Sequence, residues 1–165
     1  MGRENEPNLQ EMAQIYGVIY YQFGKKAAEE LLKREKEISL KRYSSGIVRE
    51  VILPEGTILY HNPSTGLFTL SWKGALLLFP LTQSDRKRIF AKRDIFIKYT
   101  KKVLLAPAVI RSTEDIRAGD EIFIVDEEGA LLALGKALAS AIEINSMKRG
   151  KVALVRRSSD ELQEN

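Results

Sequence analysis

A chain of 165 residues with 44% hydrophobic and 29% charged side chains is long enough for one ordinary domain or two small ones, and too apolar to be a disordered segment. It has no cysteine and one histidine, His61, which excludes disulfides, thiolate metal sites, cysteine nucleophiles and multi-histidine metal centres, so no metal and no cofactor is expected. The net charge of +4 falls on residues 86–165, where 16 Lys/Arg face 12 Asp/Glu, whereas residues 1–85 balance at 10 and 10.

In chain order, residues 1–12 are polar and hold Pro7, and read as a mobile tail. They lack both the apolar core of a secretory signal and the Ser or Thr of a myristoylation signal. No apolar run approaches the roughly 20 residues of a membrane helix, so a cytoplasmic protein with no membrane partner is expected. The spacing predicts a helix over 25–37, with Ala27, Ala28, Leu31 and Leu32 on one face and Lys25/Glu29, Lys26/Glu30 and Glu29/Lys33 as i,i+4 pairs. Short β-type runs follow at 38–43, 47–53, 57–60 and 67–71, separated by Ser45-Gly46, Pro54-Glu55-Gly56 and Asn62-Pro63-Ser64-Thr65-Gly66. A second short helix is expected over 73–79, before Pro80.

The rhythm then changes. A strand is expected at 88–91 and a short basic helix at 94–102 with Asp94 as its cap. Further strands are expected at 103–110, 121–126, 130–134 and 152–156, with Asp126-Glu127-Glu128-Gly129 as a hairpin turn. Five or six short strands with little helix predict a small closed β-barrel. The fold class is therefore α+β: an α+β domain over 13–84, a small β-barrel over 85–158, and a second mobile tail at 159–165.

Residues 86–102 carry eight basic side chains against one acid, Asp94. Such a run points to a polyanion, with a solvated charged helix as the plain alternative. Enzyme readings do poorly. Gly129 and Gly135-Lys136 miss the spacing of a phosphate-binding loop, and Ala137 stands where Ser or Thr would hold magnesium. Asp120 and Glu121 are adjacent in a strand and face opposite sides. Asp126, Glu127 and Glu128 are turn acids with no positioned partner. His61 has no serine–acid constellation around it.

The segment Ile116-Arg117-Ala118-Gly119-Asp120-Glu121-Ile122-Phe123-Ile124-Val125-Asp126 resembles the I-x-x-G-D-x-V-x-V-x-(D/N) core of PUA domains. The continuation Leu132-Ala133-Leu134-Gly135-Lys136-Ala137 and the later Arg149-Gly150-Lys151-Val152-Ala153 resemble it too. Gly119 suits a tight turn, Asp120 can bond local amides, and Gly135 is expected to mark a bulge or bend. Upstream, Tyr21-Gln22-Phe23-Gly24-Lys25, Ser44-Ser45-Gly46-Ile47-Val48-Arg49, Gly66-Leu67-Phe68-Thr69-Leu70 and Gly74-Ala75 resemble the domain before PUA in archaeal tRNA-guanine transglycosylase. That family makes the archaeosine precursor in tRNA; its catalytic barrel and Cys/His zinc site have no counterpart here.

The resemblance implies RNA contact without catalysis, with structured RNA, tRNA first, as partner. In PUA domains the RNA face involves the short first helix, the segment entering the second strand and the last strand, which are residues 94–102, 103–111 and 151–157 here. The RNA-binding candidates are Lys98, Tyr99, Lys101, Lys102, Arg111, Lys148, Arg149, Arg156 and Arg157, and a secondary basic track comprises Arg86, Lys87, Arg88, Lys92 and Arg93. For each of them, a solvated surface charge is the alternative. Tyr43, Tyr60, Phe68 and Trp72 are candidates for base stacking or for core. Two rival readings use the same module: a non-catalytic subunit that docks a separate catalytic chain, and a ribosome-associated factor.

Overall fold

The computed structural model describes residues 5–159, and the chain divides into two compact units after Gln83. The first begins with helix α1, Leu9–Phe23. The Asn8 side chain accepts from the Glu11 backbone N–H at 2.8 Å, and the Glu11 carboxylate accepts from the Asn8 N–H at 3.0 Å. This reciprocal cap satisfies two of the open donors at the helix start. Met12, Ile15, Ile19 and Phe23 form its buried stripe. The tail expected over 1–12 is thereby corrected for Leu9 to Met12; residues 1–4 lie outside the described residues.

Gly24 breaks α1 from α2, Lys25–Lys33, by adopting φ 97° while its N–H bonds the Tyr20 carbonyl at 3.0 Å. The helix expected over 25–37 stops at Lys33, and one 3₁₀ turn, Glu35–Glu37, follows. Arg34 holds this corner by bonding Glu37 at 2.8 Å and Glu55 at 2.6 Å.

Strands β1 (Ser39–Arg42), β2 (Val48–Leu53), β3 (Gly56–His61) and β4 (Phe68–Leu70) form an antiparallel sheet in that order. Register puts Leu40, Val51, Leu59 and Leu70 in one buried row, and Lys41, Glu50, Tyr60 and Thr69 in the adjacent row on the opposite face. Gln22 of α1 reaches this sheet. Its amide donates to the Phe68 carbonyl at 2.9 Å and accepts from the Phe68 N–H at 2.8 Å. Phe68 is thus core, not a stacking residue. Helix α3, Trp72–Leu78, is capped by Ser71, and a Cβ on its Gly74 would lie 2.1 Å from the Ile58 carbonyl oxygen.

The second unit contains β5 (Arg88–Ala91), α4 (Arg93–Tyr99), β6 (Val103–Leu105), β7 (Val109–Ser112), β8 (Glu121–Val125), β9 (Leu131–Ala137), α5 (Ala141–Ser146) and β10 (Lys151–Ser158). One sheet runs in the order β6-β10-β9-β8-β5-β7, with β5 and β8 parallel and every other pair antiparallel. The strand expected over 103–110 is broken. Ala106-Pro107-Ala108 makes a 3₁₀ turn, and the two flanking pieces join opposite ends of the sheet. A three-residue connection can span opposite ends only if the sheet curls, so it forms a half-barrel. Its strand order leaves β6 and β7 unpaired with each other, which corrects the expected closure. Ile89, Phe96, Leu104, Ile116, Ile122, Ile124, Leu132 and Val152 fill its core.

Gly119 turns into β8 at φ 92°, and Asp120 accepts from the Arg117 N–H at 2.9 Å. Gly135 is required by proximity, since a Cβ there would stand 2.3 Å from the Leu154 carbonyl oxygen. The bulge lies on the opposite strand: Val155 pairs with Gly135 and Arg157 with Leu134, so Arg156 is the extra residue. Helix α5 was absent from the sequence expectation; six residues capped by Ser140 leave too short a periodic signal. Residues 160–165 of the expected second tail lie outside the described residues, and the Ser159 N–H bonds the Leu132 carbonyl at 3.0 Å.

Candidate nucleic-acid interface

The basic run enters the second unit through β5, and there it is structural. Lys87 sits at φ 54° with its ammonium 2.6 Å from Asp120 and 3.7 Å from Asp115. The Arg88 guanidinium lies 5.9 Å from the Phe123 ring centre and donates to the Arg86 carbonyl at 3.0 Å. Burial pushes the Arg88 pKa down from its ordinary value, while Asp85 and Asp115 oppose that shift. Both residues are over 90% buried. Lys87 and Arg88 are therefore removed from the expected surface track, because their charges serve internal partners. Arg93 is also engaged, its N–H on Glu127 at 2.6 Å and its guanidinium 3.7 Å from Asp126. Arg86 is half-buried and Lys92 exposed.

Helix α4 has Lys92 at its cap position with no side-chain cap bond. Asp94, expected to be that cap, lies in the first turn, where a carboxylate favours the positive end of the helix dipole. The helix ends at Tyr99, short of the expected 102, so Lys101 and Lys102 leave on the exit loop. At that end Tyr99 is 69% exposed, with the Lys98 ammonium 5.4 Å from its ring centre. The Val155 N–H bonds the Lys102 carbonyl at 2.8 Å. This bond sets the exit of α4 beside the bulged part of β10.

The bulge has a consequence for charge. Alternation would turn one of two consecutive strand residues inward. With Arg156 inserted as the extra residue, Arg156 and Arg157 are both exposed. Arg156 bonds the carboxylate of Glu121, which is almost wholly buried. Sequence reading missed this anchor. Neighbouring acids 120 and 121 face opposite sides, as alternation requires, and each meets a different cation. Through the Val155–Lys102 backbone bond, the chain segment carrying Lys98, Tyr99, Lys101 and Lys102 meets the strand segment carrying Arg156 and Arg157.

The remaining candidates lie elsewhere. Lys148 and Arg149 are exposed in the loop before β10, pinned by the Ala106 N–H bonding the Gly150 carbonyl at 2.9 Å. From there to Arg156 the extended strand spans roughly 20 Å at ~3.3 Å per residue. Arg111, on β7, stacks its guanidinium 3.8 Å from the centre of Phe90. The next residue, Ser112, is bonded to Asn145 of α5 at 2.8 Å, on the helix that leads to Lys148 and Arg149. The candidates therefore form two groups, one at the α4 exit and one around α5. Among the described residues, no group of three or more His, Asp or Glu side chains is placed to hold a metal ion, and no helix is long and apolar enough to cross a membrane.

Two family descriptions match in tandem: the patch-forming domain C2 of tRNA-guanine transglycosylase over residues 13–85, and the PUA domain over residues 88–158. The tRNA-guanine(15) transglycosylase of Methanobrevibacter smithii is 32% identical over 148 residues, which are 89% of this chain and 22% of that protein. The enzyme of the same name from Methanothermobacter thermautotrophicus is 30% identical over 93% of this chain and 24% of its own length. The chain spans under a quarter of these relatives, and the match covers their patch-forming and PUA part, not their catalytic part.

The crystal structure of a hypothetical protein from Pyrococcus horikoshii shares the fold, with TM-score 0.68 and 19% identity over 96% of both chains. A PUA-domain protein of Aeropyrum pernix matches with TM-score 0.64 and 13% identity over 93% of this chain and 84% of that one. Together the domain matches and relatives support RNA binding in a tRNA-modification context. Residues 88–158 match the PUA domain and residues 13–85 the patch-forming domain C2, so the chain resembles the C-terminal, non-catalytic part of archaeal tRNA-guanine transglycosylase.

Proposed function

We propose that this protein binds structured RNA, tRNA first among its classes, through the basic group at the α4 exit and β10, and performs no chemistry of its own. The observation that supports this reading is the bulge in β10, which leaves Arg156 and Arg157 both exposed next to Val155, whose N–H bonds the Lys102 carbonyl at the α4 exit. Phosphate contacts and shape dominate such binding, because A-form grooves offer side chains little sequence information. Lys148, Arg149 and Arg111 extend the contact towards α5. Such a protein works in the cytoplasm and needs no cofactor.

The test is anisotropy of a labelled tRNA transcript across a salt series, with Lys101, Lys102, Arg156 and Arg157 replaced by Ala. The expected result is weaker binding with a shallower salt slope, each lost phosphate contact removing roughly 0.7–0.9 from that slope. Salt-sensitive binding that ignores the substitutions removes the site; no binding at low salt removes the function.

A second reading is favoured by the length of the relatives. They carry these two domains within a chain about four times longer, so a catalytic chain that such a tandem would bring to RNA is the candidate partner. A stable complex on co-purification supports that role. Ribosomal RNA as the copurifying species would instead favour a ribosome-associated factor.

A further inference from the structure

We propose that the solvent-facing side of the four-stranded sheet in the first unit is a second RNA-contact surface, taking an unpaired segment with a base on Tyr60 and phosphates beside Arg49 and Lys41. The proposal rests on the RNA-binding reading and adds a surface which that reading does not use.

Tyr60 lies on an inner strand of the sheet yet is 41% exposed, between Glu50 and Thr69 in register. Tyr43 is 37% exposed, and the Arg49 guanidinium stands 5.8 Å from its ring centre. Along the β1 side runs an open groove of about 470 Å³ lined by Asn5, Ser39, Lys41, Arg42, Arg49 and Ile52, with no carboxylate among its lining residues.

The first unit, residues 1–83, carries ten Lys/Arg against nine Asp/Glu, and the structure shows where several of its acids are spent. Glu37 and Glu55 hold Arg34, Glu11 holds Arg42, and Glu29 meets Lys25. Glu50, the acid in the outer row, has a side chain only 12% exposed, with Lys41 at 3.8 Å and the Thr57 hydroxyl donating to it at 3.1 Å. Lys41, Arg42 and Arg49 therefore give the groove a positive charge within a unit that is close to neutral. Arg42 is held by Glu11 and the Glu6 carbonyl, whereas Lys41 meets Glu50 only at 3.8 Å, so Lys41 and Arg49 are the groove's cations able to turn to a phosphate. Cations lining a groove that has no carboxylate among its lining residues select a polyanion, and aromatic rings beside them select one that carries bases. The strand must be unpaired, since a tyrosine fixed on a sheet reaches a base only when that base is splayed from its helix.

The test uses the full chain and a short single-stranded RNA carrying 2-aminopurine, whose fluorescence falls on stacking. The wild-type protein should bind and quench it. Tyr60→Ala should weaken binding about tenfold and abolish the quench, Tyr60→Phe should retain both, and Arg49→Glu should weaken binding about tenfold. Both side chains are exposed, so an unchanged melting temperature confirms folding. The Ala variant of Lys101, Lys102, Arg156 and Arg157 should still quench the probe. If Tyr60→Ala matches wild type in affinity and quench, or if wild type ignores the probe at low salt, this proposal falls. Transfer RNA binding that survives such a result leaves the barrel-face reading standing by itself.

Discussion

The ammonium of Lys87 lies 2.6 Å from Asp120 Oδ2, the same oxygen that accepts the Arg117 N–H at 2.9 Å. The entry to β5 is thereby tied to the Gly119-Asp120 turn 33 residues later. The pair is largely shielded, with side-chain exposures of 11% and 16%. Removing one member strands the other, which is how shielded pairs become costly to break. Lys87→Ala should lower stability by about 2–3 kcal/mol in urea unfolding. The RNA affinity of the folded protein should not change. A selective loss of RNA binding at full stability would return Lys87 to the contact surface.

Gly135 makes a sharper prediction. Its missing Cβ is what allows the Leu154 carbonyl to approach, and the obstacle is backbone, which cannot rotate away. Gly135→Ala should cost about 2–3 kcal/mol by forcing β9 from β10, measured as a lower urea midpoint. Gly129, with nothing near its hypothetical Cβ, is strained only by its φ of 87° and should cost less on the same change.

Arg156 should show a double effect. It is exposed on the proposed RNA face and bonded to the buried Glu121. Arg156→Ala should weaken RNA binding and also lower stability by about 1–3 kcal/mol, because a buried carboxylate loses a partner. Arg157→Ala should weaken binding with a smaller stability change. Anisotropy and thermal melting of the two variants separate the effects.

The Glu11–Arg42 contact predicts a pH dependence. The Arg42 guanidinium, bonded at 2.7 and 2.8 Å, holds the Glu11 carboxyl below the ordinary value of 4.5, against the effect of burial. A depressed folded-state value means stabilisation present above the unfolded value and lost as pH falls through the folded one. Arg42→Gln should therefore be destabilised most near neutrality. Its gap to wild type should narrow below pH 4.5, read from urea unfolding at several pH values.

Local chemistry by itself determined much of this protein. The turns at Ser45-Gly46, Gly119-Asp120 and Asp126 to Gly129 are written in residues whose backbone preferences are intrinsic, and the strands between them follow from alternation. The absence of cysteine and the basic excess of the second half also bound the chemistry without reference to any contact. The start of α1 was legible too, since Asn8 and Glu11 are spaced as a reciprocal cap, but a polar, proline-containing opening disguised it.

Tertiary structure decided which charges face water. Lys87 and Arg88 sit in the same basic run as Lys101 and Lys102, yet the first two are buried against Asp120 and Phe123 and the last two are exposed. No local pattern separates them, because burial depends on partners 33 to 35 residues away in sequence. The same holds for the bulge at Arg156, which lies opposite Gly135 and Leu134 of β9, and for the split of β6 from β7 at Pro107. Each depends on where another strand comes to lie, and long-range pairing is the information that a single sequence does not display.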